Sequence, residues 1–206
     1  MDTPDPAHGS ERRGLLPRFT LKDGDTFLLA DALGDIQGSD DGLFSSDTRL
    51  LSRFEMEIAA KHPSLLGAAI SQDNTLFTSH LTNRPLPALG EVSIPQGVIH
   101  IERSRFLCDG NLYERLRFSN FSGQQATLPV RLSFAADFAD IFEVQGHRRP
   151  LRGELLEPEV ARETVRLAYR GLDARVRSTE IRFSQPPLSL SAQDAALSLD
   201  IPRGGV

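Results

Sequence analysis

Tryptophan is absent from the 206 residues, and Cys108 is the only cysteine. A lone cysteine forms no intramolecular disulfide and excludes a four-cysteine zinc site, so a reducing cytoplasm is the expected compartment. No run of eighteen apolar residues occurs, and the opening MDTPDPAHGSERRG lacks the apolar centre of a secretory signal. Neither membrane spanning nor export is therefore expected, and the Asn120-Phe121-Ser122 sequon carries no meaning without export. Basic residues are outnumbered, 23 against 28 acidic, and the resulting charge of −5 offers no attraction to a phosphate backbone. Nucleic acid is not an expected partner. The phosphate-cradling GxxxxGK, the GxSxG elbow and HExxH are all missing, and His8, His62, His80, His100 and His147 are scattered without ligand spacing. No metal and no cofactor is expected.

Sustained helical periodicity is also missing, whereas period-two alternation recurs. Phe54, Met56 and Ile58 alternate with Arg53, Glu55 and Glu57, as in a strand with one wet face. The segments 65–70 and 75–81 flank Ser71-Gln72-Asp73-Asn74, a polar group suited to a hairpin turn. A stronger hairpin signal is Asp109-Gly110 or Gly110-Asn111 between the segments 98–107 and 112–121. Further strands are expected at 27–30, 127–134, 164–169, 175–183 and 196–201. About ten or more short strands with little helix predict an all-β protein, an antiparallel two-sheet β-sandwich of supersandwich type. No internal repeat of fixed period is visible, which disfavours propellers and solenoids. Residues 1–18, rich in proline, glycine and charge, read as a flexible arm, and 19–206 as a single domain.

One stretch fits neither period. In FAADFADIFEVQG (Phe134 to Gly146), Asp137, Asp140 and Glu143 recur every third residue with Phe138, Ile141 and Phe142 between them. One turn of helix or an irregular turn would gather the acids on one side. Glycoside hydrolysis needs two carboxylates roughly 5 to 9.5 Å apart across the scissile bond. The other reading pairs the acids with Arg131, Arg148 and Arg149, leaving Phe134, Phe138 and Phe142 to anchor a corner. A second polar group, Ser45-Ser46-Asp47-Thr48-Arg49, precedes the strand that contains Phe54. There Asp47 is suited to cap a turn and Arg49 to pair bidentately with a distant acid. Sugar-binding platforms stack pyranose rings on exposed aromatics, and two Tyr with twelve mostly inward Phe offer little for one.

The segments GLFSSDTRLLSRFEMEI (Gly42 to Ile58), AISQDNTLFTSHLTN (Ala69 to Asn83), RSRFLCDGNLYERLRFSNF (Arg103 to Phe121) and FAADFADIFEVQGHRR (Phe134 to Arg149), in that order, resemble the N-terminal domain of bacterial glycogen-debranching-type amylo-α-1,6-glucosidases. YRGLDARVRSTEIRFSQPP (Tyr169 to Pro187) resembles the same family. The chain differs where the family commonly has an arginine, here Ser46, and usually a tryptophan, here Cys108. The resemblance implies a β-sandwich that precedes an (α/α)-barrel carrying the catalytic carboxylates, and no counterpart of that barrel is found in these residues. It therefore implies no catalytic residue here. Asp47, Arg49, Asp137, Asp140, Glu143 and Arg148 become candidates for a substrate cleft or a domain interface. The expected partners are the barrel of the same parent chain, an α-glucan, and a second copy meeting through an exposed apolar face. Two other functions stay open, an independent α-glucan-binding module and a purely structural domain.

Overall fold

Thr20, Leu28, Ile58 and their neighbours pair as the alternation demands, but the pairing builds four small sheets. The computed structural model describes residues 16–86 and 94–205, so most of the expected arm and part of the proline loop around Pro87 lie outside the described residues. The first sheet joins β1 (Arg18–Asp23), β2 (Thr26–Asp31), β3 (Gly42–Ser45) and β4 (Thr48–Leu51) in that order. The second places β5 (Arg53–Ile58) beside β10 (Ala126–Ala135), followed by β16 (Asp194–Ile201) and β15 (Ser189–Leu190). β6 (Ser64–Ile70), β7 (Leu76–Thr82), β8 (Ile99–Cys108) and β9 (Asn111–Asn120) form the third. In the fourth, β13 (Thr164–Arg170) pairs with β14 (Val176–Arg182) on one side and with the short β11 (Glu154–Leu155) and β12 (Glu159–Val160) on the other. The only helix among the described residues is α1 (Ile141–Val144).

This corrects the two-sheet sandwich: the chain is all-β, but its four sheets form a propeller-like ring of four blades. Contacts run round the ring. β1 meets β7 and β8, with Phe19 and Phe77 ring centres 5.2 Å apart. β9 meets β16, and Phe134 of β10 lies 6.5 Å from Phe183, just beyond β14. β14 closes on β4, where the Thr179 hydroxyl donates to the Leu50 carbonyl at 2.5 Å. One buried cluster, including Leu28, Phe77, Phe134 and Val165, draws on all four sheets; a second, including Met56, Ile101 and Leu128, is shared by the second and third. The expected lack of a repeat misled because the blades are unequal, with strands of four residues in the first sheet and ten in the third.

Turn chemistry acts as anticipated. Asp109 and Gly110 both have positive φ (51° and 72°), the two-residue turn that matches the twist of β8 and β9. Ser46 and Asp47 (46° and 61°) make the equivalent turn between β3 and β4.

Candidate functional site

The break in FAADFADIFEVQG is a corner that docks the chain after β10 onto the β3–β4 hairpin. Backbone bonds make the joint: Arg49 N–H donates to the Ala139 carbonyl at 2.8 Å and Ile141 N–H to the Asp47 carbonyl at 2.9 Å. Asp47 contributes through that carbonyl; its side chain is exposed and does not cap the turn. Arg49 is buried and makes the anticipated bidentate pair, Nε to Asp137 Oδ1 at 3.1 Å and Nη2 to Oδ2 at 2.5 Å. Its Nη1 donates to the carbonyls of Ser39 (2.7 Å), Asp41 (3.2 Å) and Gly38 (3.4 Å), so one guanidinium ties the corner, the hairpin and the loop before β3 together.

The other two acids are occupied as well. Asp140 caps α1, accepting the N–H groups of Phe142 (2.9 Å) and Glu143 (3.0 Å), and Glu143 returns a bond to the Asp140 N–H at 3.0 Å. This reciprocal box is the usual reason for an acid three residues from another at a helix start. Arg149 pairs with Asp140, and Arg152 Nε with Glu143 at 3.1 Å, while Arg152 Nη2 donates to the Asp137 carbonyl at 2.8 Å. Arg131 instead serves Asp194 across β10 and β16, and Arg148 is exposed with no ion pair among the described residues. Arg152, absent from the candidates, is a residue the sequence reading missed; its spacing from the acids carried no periodic signal.

Phe134 and Phe138 are anchored in the core, and Phe138 stacks on Tyr169 at 5.8 Å despite its positive φ of 50°. Phe142 is not; it stands 58% exposed, edge-on to His147. A helix of one turn buries none of its residues, so it offers no pocket to a third ring.

Gly42 makes the corner sterically exacting. A Cβ there would lie 2.6 Å from Arg49 Cδ and 2.9 Å from the Leu51 carbonyl. The arginine stem cannot swing away because its guanidinium is held at five points. Gly42→Ala should lower stability by about 2 kcal/mol, read as a drop in the thermal midpoint. An unchanged midpoint would show that Arg49 moves freely.

A second polar group, unforeseen in the sequence, lies within the ring. Arg103 and Arg105 of β8 are fully buried. Arg103 Nη1 meets Asp35 Oδ1 at 2.6 Å and its Nε meets Glu114 Oε1 at 3.0 Å, while Arg105 Nε meets Glu114 Oε2 at 2.5 Å. Both guanidiniums lie over the Phe54 ring, at 5.5 and 5.2 Å. Burial opposes the Arg103 charge, yet Glu114 and Asp35 together hold its pKa above the ordinary arginine value. For Arg105, burial first and the neighbouring Arg103 charge second bring the pKa down to about 10. Arg105 therefore remains charged at neutral pH. Asp35, Glu55 and His62 bring ligand atoms within 4.8 Å of one another, the spacing of a cation site. Arg103 and Arg53 already neutralise the two acids, the latter with Nε 2.6 Å from Glu55 Oε1. The donor set therefore reads as an extension of the ion-pair network.

These features define an all-β module whose corner acids, Asp137, Asp140 and Glu143, are paired internally, with no helix among the described residues long and apolar enough to cross a membrane. Residues 21–206 match the family model described as the N-terminal domain of (some) glycogen debranching enzymes, and the chain belongs to that family. No curated protein matches the chain.

Proposed function

We propose that this domain is a non-catalytic part of a debranching-type α-glucosidase, packing on the catalytic barrel of the same parent chain and shaping its α-glucan cleft in the cytoplasm. The observation that carries the reading is the corner itself. Asp137, Asp140 and Glu143 each answer an arginine, and Asp140 also spends a carboxylate oxygen on α1, so no carboxyl there is left to protonate a glycosidic oxygen. The exposed Phe142 and Arg148 beside the corner suit a domain contact. Assayed on α-1,6-linked glucans, the 206-residue chain should show no turnover. Hydrolysis that disappears in Asp140→Asn would overturn the reading.

A second reading, an α-glucan-binding module, is favoured by one observation. Phe106 and Tyr113 face each other across β8 and β9 on the outside of the third sheet, stacked at 4.8 Å and each nearly half exposed, with Leu76 in the same row. Each ring keeps an open face on which a pyranose can stack. Affinity electrophoresis on glycogen tests it: retardation that Phe106→Ala with Tyr113→Ala abolishes would support the module, and no retardation would remove it.

A further inference from the structure

β9 is the outermost strand of the third sheet, paired with β8 on one side only. Its backbone shows where the open side points. Phe121 N–H donates inward to Val98 at 2.8 Å, whereas Asn120 N–H donates outward to Gly205 at 3.0 Å. Successive residues of an antiparallel strand alternate in this respect, so the amides of Leu112, Glu114, Leu116 and Phe118 also point away from β8. They point toward the space between β9 and β16, lined by Arg115 to Phe118 on one side and Leu199 to Ile201 on the other. Leu112, Glu114, Leu116 and Phe118 of β9 line a cavity of about 610 Å³ together with residues of the other three sheets, among them Leu51, Leu132 and Thr179. A second cavity, of about 400 Å³, continues along the same edge between Leu116 and Leu199.

Such an edge is a template for another strand, and this one is ten residues long with neither a proline nor a bulge. Its outward face carries Arg115 and Arg117, both exposed, with Glu102 of β8 in register opposite Arg117, so two positive charges stand against one negative. That charge decides the occupant. If two copies paired β9 to β9 in antiparallel register about Leu116, Arg115 would fall opposite Arg117, and like charges placed so repel. An apolar face toward the leucines and acids at alternate positions would satisfy wall and rim together.

We propose that the free edge of β9 accepts an extended polypeptide strand, apolar toward the groove and acidic on its outer face, supplied by the catalytic portion of the parent enzyme. The choice of source rests on the function proposed above; the edge and its charge rule do not. The probe is a fluorescein-labelled heptapeptide of alternating valine and glutamate, titrated into the chain by anisotropy beside a valine–lysine counterpart and an N-methylated version. The glutamate peptide should bind at least tenfold more tightly than either, and Arg115→Glu with Arg117→Glu should reverse the preference between glutamate and lysine. Equal affinities, no binding at millimolar concentration, or a preference indifferent to the double charge reversal would overturn the assignment. Both arginines are exposed, and circular dichroism checks that the variant is folded. A dimer in sedimentation that excess glutamate peptide dissociates would assign the edge to a second copy and overturn the proposal. Against the enzyme with its catalytic portion attached, the glutamate peptide should fail to bind. Binding there as tight as to the 206-residue chain would overturn the source alone, and a positive turnover assay would overturn the functional reading without touching the edge.

Discussion

Glu114→Gln should cost this protein about 3 to 5 kcal/mol of folding free energy, the loss typical of removing one partner from a buried ion pair. The four charges of this buried group balance: Asp35 and Glu114 against Arg103 and Arg105. Glutamine keeps the size of Glu114 and one acceptor oxygen, so packing is preserved while the balance is lost. Arg103 retains Asp35. Arg105 retains the face of Phe54 and at most a neutral acceptor for its Nε, because its two terminal nitrogens are buried with no hydrogen-bond partner among the described residues. The companion experiment replaces both partners. Glu114→Gln combined with Arg105→Met restores neutrality with an apolar side chain of similar length and should recover more than half of the loss. Urea unfolding midpoints measure both. A single variant within about 1 kcal/mol of the wild type would mean that water reaches Arg105 and shares its charge.

Arg49→Met should come next, at about 3 kcal/mol, since a buried donor set serving one carboxylate and three carbonyls is removed at once. The stem is kept, so the cavity term is small. Asp137→Asn should cost less, about 1 kcal/mol, because Asp137 keeps 35% of its side-chain surface in water and Arg49 keeps its carbonyl partners. The order of the two variants is the test. If Asp137→Asn is the worse, the pair rather than the three carbonyls holds the corner. Hydrogen exchange gives an independent readout: the loop at 38–41 should open in Arg49→Met and stay closed in Asp137→Asn.

The strands were legible because alternation is a local property. Phe54, Met56 and Ile58 announced an inner face whatever sheet they joined. Which sheet they joined was not legible, since β5 pairs with β10 more than seventy positions away and period-two alternation reads alike in a sandwich and in a blade. The two-residue strands β11, β12 and β15 carry too few residues to show any period. At the candidate site, the bidentate habit of arginine was enough to expect a distant acid for Arg49, and that acid is Asp137. The inward turn of Arg103 and Arg105 was hidden for a physical reason. In β8 they occupy the positions where alternation demands apolar side chains, and only a counter-charge on the next strand makes that tolerable.

The bond between Thr179 and Leu50 has a kinetic meaning as well. It closes the ring between residues 129 apart in the chain, and the Arg49–Asp137 pair spans 88. Loop-closure entropy must be met before such contacts repay it, so a chain of this topology folds on the millisecond-to-second scale of non-local β proteins. Glu114 reaches both arginines within the local β8–β9 hairpin, whereas Asp35 must come from 68 residues away, so Arg103 gains its second carboxylate only as the ring closes. The seam between β4 and β14, which joins residues so far apart, is thus one of the contacts whose closure entropy folding must meet before it is repaid.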